Sequence, residues 1–264
     1  MLTEAKGQFN ILLLTVKYNV MREMTNKVSF TTNVLFMMLN NSTFIIQWII
    51  LFHLKKEIGG YGMKEIMLLW ALAASSYGFA HIFFHRAFSL SELITEGKLD
   101  AFLVQPKNVL LSVISSTTSP PAMGDLLYGF VLVFFTGISV RRLFLFTLFT
   151  ITGGLLYTAF AVAAGSISFW ITRGDLLAVN LTNTMVNFST YPDGIFKGVI
   201  KVALYTLIPI GFYIYLPVKV ILLPNLLSLL WVLLAVTIVT GIAFFLFYKG
   251  LRRYSSGNLM SARI

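Results

Sequence analysis

The sequence predicts an all-α, polytopic membrane protein, and three observations carry that expectation. Of 264 residues, 57% are hydrophobic and 11% charged, against about 25% charged in a soluble domain, and the mean hydropathy is +0.83. The apolar residues gather into runs long enough to cross a bilayer at about 20 residues per helix. Lys, Arg, Asp and Glu fall mainly in the short segments between those runs. Residues 1–264 therefore read as one transmembrane domain, in which about five to seven crossings fit and no large soluble domain does.

The first element is an interfacial helix, residues 8–27. Phe9, Leu13, Val16, Val20 and Met24 recur at helical spacing, while Asn10, Lys17, Asn19 and Arg22 take the other faces, the pattern of a helix lying in the membrane surface. An ordinary extension of the first crossing is the alternative. The first crossing covers about residues 30–53, and a loop with Lys55, Lys56, Gly59, Gly60 and Lys64 leads to a second at about 66–88. A charged segment, residues 89–108, precedes a short interfacial helix at 109–118. Pro120 and Pro121 suit the first turn of a third crossing, where proline loses no needed donor; this span reaches about residue 138.

Arg141 and Arg142 separate it from a fourth span, about 143–171, which ends at Arg173-Gly174-Asp175. Gly174 is expected to close that helix and Asp175 to cap the next. A fifth crossing, about 176–191, is short and polar. Pro192, Pro209, Pro217 and Pro224 then interrupt the apolar run, and residues 192–224 are read as outer re-entrant hairpins, because broken backbone at membrane depth must be buried or line water. The last crossing covers about 226–248.

With both termini inside, twelve Lys and Arg face the cytoplasm and eight the outside, in the direction of the positive-inside rule. The first residues lack the basic region, apolar core and cleavage site of a secretory signal. A net charge of +10 suits anionic lipid headgroups better than nucleic acid, since no basic stripe interleaves with aromatics. Absence of cysteine excludes disulfides, thiolate metal sites and a thiol nucleophile.

Residues 89–108 are the segment most suited to a partner. Ser89 and Glu92 match the S-x-x-E capping box, Leu90, Leu93 and Ile94 give an apolar side, Gly97 permits a turn, and Lys98 and Asp100 expose both signs of charge. Leu99, Phe102 and Leu103 add a second apolar patch before Pro106. The alternative is a solvated loop that returns the chain to the bilayer. Asn33, Asn40 and Gln47 share one face of the first crossing, and Asn180, Thr184 and Asn187 one face of the fifth. Amides facing lipid are expensive, so both stripes point to a helix interface or a watered cavity. His81 and His85 lack the glutamate of H-E-x-x-H and a third ligand, so interfacial anchoring or a hydrogen bond is expected rather than metal. Asp125 suits a helix N-terminus, and Asp193, in YPDG, reads as turn chemistry. No Walker A loop, no G-x-S-x-G elbow and no paired intramembrane carboxylates occur, which disfavours an enzyme.

Four stretches, GGYGMKEIMLLWALAASSYG, LITEGKLDAFLVQP, YPDGIFKGVIKVALYTLIPIGFYIYLP and KGLRRYSSGN, make the chain resemble the permease subunits of type-two ABC exporters, in a bacterial six-helix branch whose substrates are mostly uncharacterised. The branch commonly has G-E-L-D followed by an arginine and proline, where this sequence has Gly97-Lys98-Leu99-Asp100 and Gln105-Pro106.

The resemblance implies six crossings, a coupling helix within 89–108, re-entrant helices before the last span, and residence in the cell membrane. It implies a second permease copy or sister subunit and cytosolic ATPases that bind ATP and Mg, with no cofactor in this chain. Ser89, Glu92, Gly97, Lys98, Leu99, Asp100 and Pro106 would receive the ATPase motion, Asn33, Asn40, Gln47, Asn180, Thr184 and Asn187 would line the path, and Tyr191, Pro192, Pro209 and Pro217 would form the outer gate. The expected function is ATP-driven export of a hydrophobic or amphipathic substrate, a lipid, drug or peptide. The alternatives are an interfacial lipid enzyme, a sensor that docks a cytosolic partner, or a passive channel.

Overall fold

The computed structural model describes residues 2–105, 108–137 and 139–255, and among these every regular element is helical. The helices are α1 (Leu2–Glu23), α2 (Lys27–Leu54), α3 (Met63–Phe83), α4 (Leu90–Thr95), α5 (Asp100–Leu103), α6 (Val109–Ile114), α7 (Ala122–Phe135), α8 (Val140–Ser166), α9 (Gly174–Ser189), α10 (Gly198–Thr206), α11 (Leu216–Leu222) and α12 (Leu226–Leu251).

Four of them, α2, α3, α8 and α12, are long and apolar enough to span a bilayer, and α10 with 211–222 adds a fifth if that pair, bent by 74°, is a single broken span. α7 is apolar but has 14 residues, about 21 Å at 1.5 Å per residue, and α9 has 16. Both were expected as crossings from sequence, and neither is long and apolar enough to count as a span by itself.

The bundle is built around α3 and α8, whose apolar windows are 78% and 61% buried, while those of α2 and α12 are 22% and 11% buried. Small residues bring α3 and α7 together. A Cβ on Gly78 would meet the backbone of Leu126, and one on Gly129 the carbonyl of Ala71. Between membrane helices, where apolar contact gives little net driving force, such backbone approach is a main source of association. α8 packs on the other side of α3 and against α12, with Phe146, Phe149 and Leu156 fully buried. A second apolar cluster joins the short helices to the C-terminal ends of α8 and α12 through Leu90, Leu93, Leu99, Leu110, Val113 and Phe247.

Side-chain caps fix the starts of four helices. Asn26, Asn108, Ser139 and Asn225 accept from the backbone N–H three residues on, in α2, α6, α8 and α12, satisfying donors that a helix N-terminus leaves free. The Ser89–Glu92 box expected from sequence does not form. Residues 85–89 wind into a 3₁₀ turn that ends α3 at Phe83 rather than near residue 88, and Ser89 at φ −116°, ψ 19° turns its hydroxyl back to the Arg86 carbonyl at 3.5 Å.

The junction before α9 also departs from expectation. Gly174 starts that helix instead of closing the previous one, and Asp175 lies inside its first turn; a side chain at 174 would run into the Ser168 backbone. In α1, Val16 is buried with Ile82 and Ala122, while Leu13 and Met24, expected on the apolar face, are exposed. Asn19, expected to face outward, is buried because its amide donates to the Ser116 carbonyl (3.2 Å) and to Thr118 Oγ1 (3.4 Å). α1 is thereby fastened to the chain leading into α7.

Candidate functional site: a polar and aromatic cavity between α2, α3 and α9

Three helices turn one face each toward a common cavity of about 480 Å³. α2 supplies Asn40, Asn41, Phe44, Gln47 and Trp48; α3 supplies Trp70, Ala73, Ala74, Tyr77 and His81; α9 supplies Thr182, Asn183, Val186 and Asn187. Each set repeats at three and four residues, the spacing that brings side chains to one side of a helix. Asp125 of α7, Tyr157 of α8, Phe88 and Tyr213 complete the wall.

Aromatic rings line much of its depth. Phe44 stacks on Trp70 with centroids 4.8 Å apart, His81 lies between Tyr77 at 3.9 Å and Phe88 at 4.0 Å, and Tyr157 stacks on Tyr213 at 5.7 Å. At the other end Tyr191 meets Trp48 edge-on at 6.1 Å.

Asp125 is 4% exposed. Its Oδ1 accepts from Asn41 Nδ2 at 2.6 Å, joining α7 to α2, and its Oδ2 has no protein partner. Trp70 Nε1 is likewise buried without an acceptor. Among the described residues Asp125 is the only carboxylate in the lining, and no Lys or Arg lines the cavity.

The expected stripes meet this cavity in part. Asn40, Gln47, Asn187 and Tyr191 line it, whereas Asn33 lies in a separate recess with Arg22 and Glu23. Asn180 and Thr184 bond each other along the neighbouring face of α9, Thr184 Oγ1 donating to the Asn180 carbonyl at 2.6 Å. Asn41 and Asn183 were not picked from sequence, and Asp125 was read there only as an acid suited to a helix N-terminus, where it does stand in the first turn of α7. An acid inside a membrane helix is by default a functional candidate, and that was the available signal for Asp125.

Beyond Tyr191 the chain forms a polar knot. Asp193, 3% exposed, accepts from Tyr61 at 2.9 Å, from Lys219 at 2.7 Å and from Tyr205 at 3.4 Å, with Lys201 at 3.8 Å. Burial alone would raise its carboxyl, but Lys219 and Tyr61 outweigh that and hold it below the usual carboxylate range. Gly194 packs so closely on Gly59 that a Cβ would overlap the Gly59 carbonyl. Pro192 is buried beside Asp193, and Pro209 sits at the break after α10, its carbonyl accepting from Phe212 and Tyr213 N–H. Pro217 is buried in the first turn of α11.

At the opposite end, Leu99 is fully buried, Glu92 and Lys98 are exposed, and Gly97 takes φ +69° to turn the chain between α4 and α5. Lys98 pairs with Glu96 at 2.5 Å. Tyr254, just after α12, accepts from the Leu99 N–H at 3.1 Å, and burial with the Asp100 carboxylate beside it pushes its hydroxyl up to about 12. Pro106 lies outside the described residues.

The family model described as ABC-2 family transporter protein matches residues 38–257, a range that contains the cavity lining except Met37, the α4–α5 segment and the Asp193 knot. The chain belongs to the ABC-2 transporter family. No curated protein and no solved structure matches it significantly. As an ABC-2 permease it is a multi-pass membrane protein of a family whose members are generally non-catalytic transport subunits and typically pair with an ATPase. His81 and His85 stand 5.3 Å apart by ring centroids, and among the described residues no group of three His, Cys, Asp or Glu is placed to hold a metal.

Proposed function

We propose that this permease is the membrane subunit of an ATP-driven exporter that moves a hydrophobic or amphipathic substrate across the cell membrane by alternating access. The observation that carries this reading is the cavity itself: an apolar and aromatic wall with a few amides and one acid suits a largely apolar molecule with a polar point. Six crossings are counted by adding α7 and α9 to the long helices and treating residues 192–224 as re-entrant. Both termini and the segment bearing α4 and α5 lie in the cytoplasm, and a second permease copy or a sister subunit completes the path.

In this mechanism ATP and Mg bind the partner ATPases. Their closure is received by the α4–α5 segment, whose exposed Glu92 and Lys98 are docking residues, while buried Leu99 and the Gly97 turn transmit the movement to α8 and α12. Tyr191 and the Asp193 knot, with Pro192, Pro209 and Pro217, close the outer end. Asn40, Gln47 and Asn187 offer hydrogen bonds to the passing molecule. Net export requires that the inward state hold the substrate more tightly than the outward one.

Affinity capture from native membranes in mild detergent tests the coupling. Wild type is expected to retain an ATPase whose activity is measurable in the eluate, and a Glu92→Lys, Lys98→Glu variant to lose most of it at unchanged expression. Equal ATPase recovery with both forms would remove the α4–α5 segment from the coupling role.

A further inference from the structure

The Asp125 carboxylate leaves one oxygen unpartnered where hydrogen bonding is nearly obligatory. A buried acid without a full set of donors carries a desolvation cost that native proteins almost always offset, yet Asn41 satisfies only Oδ1 and nothing in the chain reaches Oδ2. Both charge states leave this oxygen needing a partner, as an acceptor when ionised and as a donor when protonated. Asp125 belongs to the cavity wall and its Oδ2 is covered at rest, so a partner supplied from that space reaches it as the wall side chains turn.

The rest of the wall indicates what kind of occupant. Trp70 and Phe44 are stacked, Tyr77 and Tyr157 lie nearby with centroids 5.9 Å apart, and ring faces attract cations electrostatically. An anion would meet the Asp125 charge with no Lys or Arg among the described lining residues to offset it, in a medium where Coulomb terms are strong. The volume, about 480 Å³, falls within the range of sites for drug-sized molecules.

We propose that this cavity takes an amphipathic organic monocation, its charge held on Asp125 Oδ2 and its apolar body against the Trp70–Phe44 and Tyr77–Tyr157 rings. The assignment rests on the permease reading given above and narrows its substrate class. A lipid or peptide fits only if it carries such a positive group.

Equilibrium binding to the purified full-length chain in detergent tests it, with tetraphenylphosphonium as probe and tetraphenylborate as its counterpart of similar shape and opposite charge, each corrected for partition into protein-free micelles. Wild type is expected to bind the phosphonium at least about tenfold tighter than the borate, and Asp125→Asn to weaken phosphonium binding about tenfold or more, equivalent to about 1.4 kcal/mol, with no loss for the borate. Asp125→Glu is expected to keep the preference. Equal affinity for the two ions, binding of neither, or an Asp125→Asn variant that holds the phosphonium as wild type does would each overturn the proposal. Thermal unfolding establishes that the variants are folded, and should Asp125→Asn not fold, the charge preference of wild type decides. The assay contains no ATPase, so its failure leaves the capture result on Glu92 and Lys98 standing, and a failed capture leaves this result standing.

Discussion

Lys219 Nζ donates to Asp193 Oδ2 across 2.7 Å, fastening the turn after α9 to the second half of the bent helical pair. The same carboxylate accepts from Tyr61 in the loop before α3 and from Tyr205 in α10. One side chain thus holds four segments at the end of the cavity where Tyr191 meets Trp48. A change in the opening at this end must either carry the knot as a unit or break it.

Asp193→Asn removes the charge and keeps the shape. Because the acid is buried and receives charge-assisted hydrogen bonds, the variant is expected to lose about 1–3 kcal/mol and to lower the apparent unfolding temperature in detergent. Lys219→Met should cost less. Lys219 is half exposed, where ion pairs contribute about 0–1 kcal/mol, and Tyr61, Tyr205 and Lys201 remain on the acid. A thermal melt in which Lys219→Met is the more damaging variant would show that Asp193 is not the hub.

The pH dependence follows from the direction of the Asp193 shift. Its folded-state carboxyl lies below its ordinary value, so its contribution is complete above the unfolded value of about 3.9 and is lost as pH falls through the lower folded one. The difference in unfolding temperature between wild type and Asp193→Asn is therefore expected to stay constant from about pH 8 to pH 5 and to narrow only below about pH 4. A difference that vanished near pH 6 would mean that another group holds the knot.

Much of the architecture was legible because it depends on the length of apolar runs. α2, α3, α8 and α12 each fall within a few residues of the crossings read from sequence, and the Pro209 break appears where proline interrupts the pattern. Legibility ended where a choice between neighbouring faces depends on tertiary packing. Both Asn180–Thr184–Asn187 and Asn183–Asn187 are valid helical stripes; the packing of α9 on α8 turns the second toward the cavity. Asn40 and Asn41 are adjacent, and a seven-residue period selects the first, whereas the buried contact to Asp125 selects the second. Asp193 read as turn chemistry because its partners, Tyr61, Tyr205 and Lys219, lie 132, 12 and 26 residues away with no shared period.

Glycine at the α3–α7 contact gives opposite expectations for two chemically identical substitutions. Gly→Ala within a helix gains about 1 kcal/mol of intrinsic propensity, and at Gly241 of α12, where a Cβ meets open space, Ala is expected to be neutral or stabilising. At Gly129 the added methyl meets the Ala71 carbonyl and Ser75, atoms that no rotamer change moves away, and overpacking of this kind costs about 1–3 kcal/mol. Gly129→Ala should therefore lower the unfolding temperature despite its propensity gain. A stabilised Gly129→Ala would show that α3 and α7 separate at little cost.

Tyr254 reaches from the end of α12 to the Leu99 N–H, tying the turn between α4 and α5 to a helix that packs along α8. Tyr254→Phe removes the hydroxyl while keeping the ring, which meets Phe169 edge-on at 6.4 Å. The hydroxyl meets both the Leu99 N–H and the Asp100 carboxylate, and loss of such hydrogen bonds at a partly buried turn costs about 0.5–1.5 kcal/mol each, too little to unfold the bundle but concentrated on the proposed ATPase contact. The variant is expected to express and melt close to wild type, to show faster amide exchange across residues 97–103 by mass spectrometry, and to stimulate its captured ATPase less in response to substrate. Faster exchange with unchanged stimulation would assign Tyr254 to local order alone. Unchanged exchange would mean that buried Leu99, and not the hydroxyl contact, fixes the turn.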